Sequence, residues 1–161
     1  MANTIEKLVY QEARLLDEGK LDEWLSLYAE DATYWIPMDE RVDPLKDASI
    51  IFDNHLRLAM RVEQIQRQSR VAQNPPSLTM RMVTNLEIDQ DTETSASARF
   101  CLHLTEVRAG DWRQRGLGEM RQLPGHCLIQ ARKEKDGWKI IHKKIVLLNR
   151  YQPMVGLAFL V

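Results

Sequence analysis

Between Leu15 and Met38 the chain reads LLDEGKLDEWLSLYAEDATYWIPM, and this stretch constrains the fold more than any other. Leu21, Trp24, Leu25 and Tyr28 fall at i, i+3, i+4 and i+7, so the spacing predicts a short helix with one wholly apolar face. Gly19 just before it suits the C-terminal stop of a preceding helix. Asp31 and Ala32 interrupt the pattern. Thr33-Tyr34-Trp35-Ile36 is then a β-branched and aromatic run closed by Pro37, the composition of a strand. Two helices that feed a strand within so few residues require helices packed directly on a sheet.

The flanking sequence extends this pattern. Asn3 or Thr4 caps a first helix whose buried side is Ile5, Leu8, Val9, Ala13 and Leu16. After a charged loop from Asp39 to Asp47, a third helix is expected from about Ser49 to Gln68, with Ile51, His55, Leu58, Val62 and Ile65 as its inward stripe. From Pro75 the period becomes alternating. Leu78, Met80, Met82, Leu86 and Ile88 share one face, and Thr79, Arg81, Val83, Asn85 and Glu87 the other. Ala96, Ala98, Phe100, Leu102 and Leu104 repeat the alternation, as do His126–Lys133 and Trp138–Leu148, the last two joined by a Lys135-Asp136-Gly137 turn. The expected class is α+β: one domain over residues 1–161, with helices packed on one face of a curved, consecutively paired sheet.

Net charge and apolar runs limit the partners. A formal charge of −1 gives no electrostatic reason for nucleic acid or an anionic membrane. No apolar run approaches the roughly 20 residues of a membrane span. The N-terminal MANTIEKLVYQEA lacks a basic segment followed by an apolar core, and two cysteines without a signal suit a reducing cytoplasm.

Cys101-Leu102-His103 is half of a Rieske iron–sulfur signature, whose other half is Cys-x-x-His. Cys127 stands at a tempting distance, but Gln130 occupies the position where the second imidazole belongs, so a ligand is missing. His55, His103, His126 and His142 lie on four different expected elements, with no pattern that unites two of them with a carboxylate at an iron site. His55 lies on an apolar stripe. It reads either as a core histidine bonded to a carbonyl or as an acid–base group tuned by Asp31, Tyr34 or Asp53. The segment Arg108–Gln122, with Trp112, Arg113 and Arg115, is a solvated loop or a subunit contact. The tail Met154–Val161, with Phe159 and Leu160, is too apolar for water and is expected to be pinned in the fold or buried on a neighbour.

Taken together, these segments resemble the small (beta) subunit of aromatic-ring-hydroxylating dioxygenases, the Rieske non-haem iron oxygenases, from about Glu12 to the C-terminus. The strongest part is Asp17-Glu18, Asp22-Glu23-Trp24-Leu25 and Asp31-Ala32-Thr33-Tyr34-Trp35-Ile36-Pro37-Met38. Ile50-Ile51-Phe52-Asp53-Asn54-His55 through Arg61-Val62 is similar to the family's I-Y-D-D-R…R-V. Pro75-Pro76-Ser77 with Asn85 is similar to its P-P-S-R-T-R-H-x-V-x-N. Trp138-Lys139-Ile140-Ile141 to Leu148-Asn149 is similar to its W-x-I-x-x-R-x-x-x-L-D. The chain departs from these patterns at Leu78 and Met80, which replace two arginines, and at Arg81, which replaces a histidine. It departs again at His55, at Lys143 or Lys144, and at Asn149.

The resemblance implies an NTF2-like cone, a strongly bent antiparallel or mixed sheet closed by three helices. It also implies a non-catalytic subunit without cofactors of its own. The large alpha subunit would hold the Rieske [2Fe–2S] cluster, the mononuclear Fe(II) and the substrate pocket, in an α3β3 hexamer with beta–beta contacts. Trp112, Arg113, Arg115, Phe159 and Leu160 are then the candidate interface. The alternative is a free-standing NTF2-like dehydratase, isomerase or cyclase using Asp31, Tyr34, Asp53 and His55; a ligand-binding or dimerisation module without chemistry is a third reading. Fold alone does not separate them.

Overall fold

The computed structural model of the protein describes residues 4–67, 76–108, 120–154, 157 and 160–161. In chain order the elements are α1 (Thr4–Asp17), α2 (Leu21–Leu25), β1 (Tyr28–Pro37), β2 (Ser49–Asn54), α3 (His55–Arg67), β3 (Leu78–Asp91), β4 (Ser95–Val107), β5 (Met120–Glu134) and β6 (Gly137–Leu147). α1 buries Ile5, Leu8, Val9, Ala13 and Leu16, the predicted stripe, together with Glu12 and Leu15. Gly19 ends it at φ +69°, a left-handed conformation that glycine adopts without steric cost.

α2 is a single turn. The Ser26 hydroxyl donates to the Glu23 carbonyl at 2.6 Å, and Tyr28, expected on the helix, is instead the first residue of β1. Its ring is buried all the same, 4.7 Å from Trp24 and 6.4 Å from Tyr34 between centroids. β1 thus starts five residues ahead of the predicted Thr33, with Asp31 and Ala32 inside it. The segment 49–54, expected to begin the third helix, is strand β2. It pairs antiparallel with β1, Ile51 opposite Ile36 and Phe52 opposite Trp35. An Ile-Ile-Phe run beside an aromatic strand gains more from cross-strand packing than from a helical turn. α3 begins only after Asn54, whose side-chain oxygen accepts the Arg57 main-chain N–H at 3.0 Å.

The six strands form one sheet in the order β2-β1-β6-β5-β4-β3, antiparallel except for the parallel β1–β6 pair. β2 and β3 are its two edges, so the sheet curls around the helices without closing. α1 packs on β3 and β4, and α3 on β1 and β2. Together they form the mixed-sheet α+β cone that the sequence leads one to expect. β4 alternates as predicted, and Gly137 turns the β5–β6 hairpin at φ +118°.

β3 is inverted relative to its apolar pattern. Leu78, Met80 and Met82 face solvent at 68%, 53% and 44% exposure, while Thr79, Arg81 and Val83 face inward. The cause lies at the end of α1. Asp17 accepts the Arg81 main-chain N–H at 2.8 Å and the Thr79 hydroxyl at 3.1 Å, and it pairs with the Arg81 guanidinium. A charge-assisted cluster of this kind outweighs the burial of Leu78, Met80 and Met82 at a sheet edge. Asn85, at φ +51°, lies in a register irregularity that returns Leu86 to the inner side.

Candidate functional site

Inside the cone, polar side chains from three elements converge on two acceptors. A single Glu12 carboxylate oxygen accepts the Trp24 indole N–H at 2.7 Å, the Tyr28 hydroxyl at 3.0 Å and the Lys143 ammonium at 2.7 Å. Lys143 also donates to the main-chain oxygen of Val161 at 3.3 Å, and the Tyr34 hydroxyl donates to that same oxygen at 2.5 Å. Arg81 donates to the Leu160 carbonyl at 2.5 Å from its place beside Asp17. The Glu12 and Lys143 side chains are 3% and 1% exposed, so neither charge is stable there without the other. Burial, reinforced by the Glu12 charge, pushes the Tyr28 and Tyr34 hydroxyls well above the usual tyrosine range and keeps them neutral donors.

A proton-transfer group must reach a substrate atom within about 3 Å. The Tyr34 hydroxyl and the Lys143 ammonium, the donors best placed to do so, already hold the chain's own tail. Both groups are thereby engaged in packing this chain's own tail.

Of the residues proposed for acid–base work, only Tyr34 belongs to this cluster. Asp53 stands opposite Tyr34 in the β1–β2 register, but its buried carboxylate forms a close ion pair with Arg61 of α3. His55 is the first residue of α3 and half-buried. Asp31 is exposed on the outer side, where Arg132 binds its two oxygens at 2.7 and 2.8 Å and holds its carboxyl below the usual range. Glu12, Tyr28, Lys143 and Arg81 were missed, although a signal existed for two of them. Glu12 interrupts the apolar stripe between Leu8 and Leu16, and Lys143 precedes Ile145 and Leu147 at the spacing of one strand face.

Trp112, Arg113, Arg115 and Phe159 lie outside the described residues. Leu160 does not offer itself to a neighbour: it is 3% exposed within this chain's own core, next to Val161 at 0%. Of the two fates open to the apolar tail, these last residues take the internal one.

The cysteines do not meet. Cys101 and His103 lie on the outer side of β4. Cys127 is on the inner side of β5, where burial pushes its thiol up to about 12. The sheet separates them, and residues so divided do not fit an iron–sulfur cluster. Among the described residues no group of three or more His, Cys, Asp or Glu side chains is placed to hold a metal ion. No described helix is long and apolar enough to cross a membrane.

Several known proteins are similar to this chain. The profile of a family described as the ring hydroxylating beta subunit matches residues 11–154. The small subunit of 2-halobenzoate 1,2-dioxygenase from Burkholderia cepacia is 29% identical over 147 residues, covering 88% of this chain and 84% of that one. The beta subunit of toluate 1,2-dioxygenase from Pseudomonas putida is 32% identical over 110 residues, 65% of this chain and 68% of its own. The crystal structure of the benzoate 1,2-dioxygenase beta subunit from Burkholderia mallei superposes with a TM-score of 0.72 at 25% identity, over 97% of this chain and 95% of that one.

Proposed function

The chain belongs to the ring-hydroxylating beta-subunit family, and on that premise we propose that it is the non-catalytic small subunit of a multicomponent aromatic-ring dioxygenase. Its partner is a large alpha subunit that carries the Rieske [2Fe–2S] cluster and the mononuclear Fe(II). The assembly is an α3β3 hexamer in the cytoplasm that hydroxylates an arene with O2 and electrons from NAD(P)H. No step of that oxygenation is assigned to residues of this chain; its part is to fold as a rigid support on which the large subunits are held.

One observation carries the reading. Leu160 and Val161 occupy the interior of the cone, and Tyr34, Lys143 and Arg81 bind their main-chain oxygens. The free-standing alternative needs that space for substrate and Asp31, Asp53 and His55 turned toward it beside Tyr34, whereas Asp31 is bound by Arg132 and Asp53 is paired with Arg61. Trp112, Arg113, Arg115 and Phe159 remain the proposed contacts with other subunits. The outward row of Leu78, Met80 and Met82 adds apolar surface of the kind a permanent partner covers.

Iron and acid-labile sulfide assayed on the chain purified alone test the division of labour. Neither is expected above background. Stoichiometric metal bound to this chain would overturn the proposal.

A further inference from the structure

The outer side of the sheet carries a thiol site that the subunit role does not use. Cys101 on β4 and His126 on β5 are direct cross-strand partners, with Cys101 Sγ 3.6 Å from His126 Nδ1. Asn85, turned by its positive φ, brings its amide nitrogen to 3.9 Å from the same sulfur. The three side chains open into a cleft of about 430 Å³ that Glu87, Arg99 and Lys144 also line. Cys101 is half-buried and His126 is exposed.

We infer that Cys101 and His126 form a thiol–disulfide exchange site for a low-molecular-weight disulfide, with Cys101 as the sulfur that becomes modified. The thiolate is the attacking form of cysteine, and an adjacent imidazole that accepts the thiol proton supplies it. The other charged groups around the cleft are engaged elsewhere. Arg99 binds Asp89 at 2.7 Å and approaches Glu87 at 3.5 Å. Lys144 lies 4.9 Å over the Trp35 ring and 3.5 Å from Glu40. His126 is therefore the titratable group in contact with the sulfur among the described residues.

In the exchange, the Cys101 S–H proton passes to His126 and the thiolate attacks one sulfur of the external disulfide R–S–S–R. A Cys101–S–S–R bond forms as the R–S–S–R bond breaks. The departing RS⁻ leaves as RSH with the proton from His126. Cys101 is oxidised and half of the disulfide is reduced. The sequence holds two cysteines, and Cys127 is on the opposite side of the sheet. No resolving thiol in this chain can reach Cys101, so the mixed disulfide persists until an external thiol reverses it.

The test uses the full chain, alone and in complex with its large subunit, and two probes: oxidised glutathione and 5,5′-dithiobis(2-nitrobenzoate). Intact mass and peptide mapping are expected to show one adduct per chain, on Cys101, with Cys127 labelled only after denaturation. Release of the aromatic thiolate at pH 7 should run at least about tenfold faster than from a free small thiol. His126→Gln should slow the reaction about tenfold at pH 7 and alter its pH profile, and Cys101→Ser should abolish it. Equal labelling of both cysteines, a rate no faster than that of a free small thiol, or an unchanged rate and pH profile in His126→Gln would each overturn the site. Protection of Cys101 in the complex would overturn it for the assembled protein and mark this face as a subunit contact.

Discussion

Glu12 and Lys143, 131 positions apart in the chain, meet at 2.7 Å in the middle of the core and hold α1 against β6. Breaking one partner of a buried pair leaves the other charge uncompensated. Glu12→Gln and Lys143→Met are each expected to cost about 3 kcal/mol in chemical denaturation, and the double variant less than the sum of the two. Additive losses would mean that the pair is not coupled.

The buried tail makes a separate prediction. Leu160→Ala should destabilise the fold by about 2–4 kcal/mol with an unchanged denaturant slope, as for a core leucine. A change within about 0.5 kcal/mol, the range of ordinary surface positions, would place Leu160 outside the core.

The inverted β3 gives an expectation opposite to its apolar pattern. Met80→Glu should leave stability within about 0.5 kcal/mol, because that side chain is already in water. Arg81→Glu should cost about 3 kcal/mol or more, because it sets a second carboxylate against Asp17 in a buried position. Denaturation of the two variants side by side reads the orientation of the strand.

His142 adds a pH dependence. Burial, with Lys144 nearby, lowers its pKa in the folded protein, and its Nδ1 lies 2.6 Å from the Thr33 hydroxyl. A histidine lowered on folding favours the native state while it is neutral. Its contribution is complete above the unfolded value of about 6.5 and is lost as pH falls from there through the folded value. The stability difference between the protein and His142→Gln should therefore shrink from pH 7.5 toward pH 5. A difference that stays flat over that range would exclude His142 as the source.

The legible part of the fold is the part set by strict periodicity. The stripe of α1, the alternation of β4, the Gly137 turn and the stop at Gly19 all stand where spacing puts them. Spacing misleads where two patterns overlap. Ile51, His55, Leu58, Val62 and Ile65 fit a helical period, yet the first of them belongs to a strand because Ile50-Ile51-Phe52 pairs with β1. Tyr28 fits the i+7 position of a helix that ends at Leu25, and it faces the same core from the strand. On β3 the alternation separates two faces without saying which is the inner one; Leu78 and Met80 stand where the family pattern sets arginine, and both face outward. The Glu12 cluster was hidden for a different reason. Its members come from α1, α2, β1 and β6, and no local spacing links them.

The central claim is that this chain works as the small subunit of an oxygenase, and the native mass of the co-expressed complex tests it most directly. Co-expression with a large subunit carrying Cys-x-His…Cys-x-x-His, followed by mass measurement in solution, should yield a single species of three large and three small chains. A chain that remains a monomer or dimer beside every such partner would contradict the account.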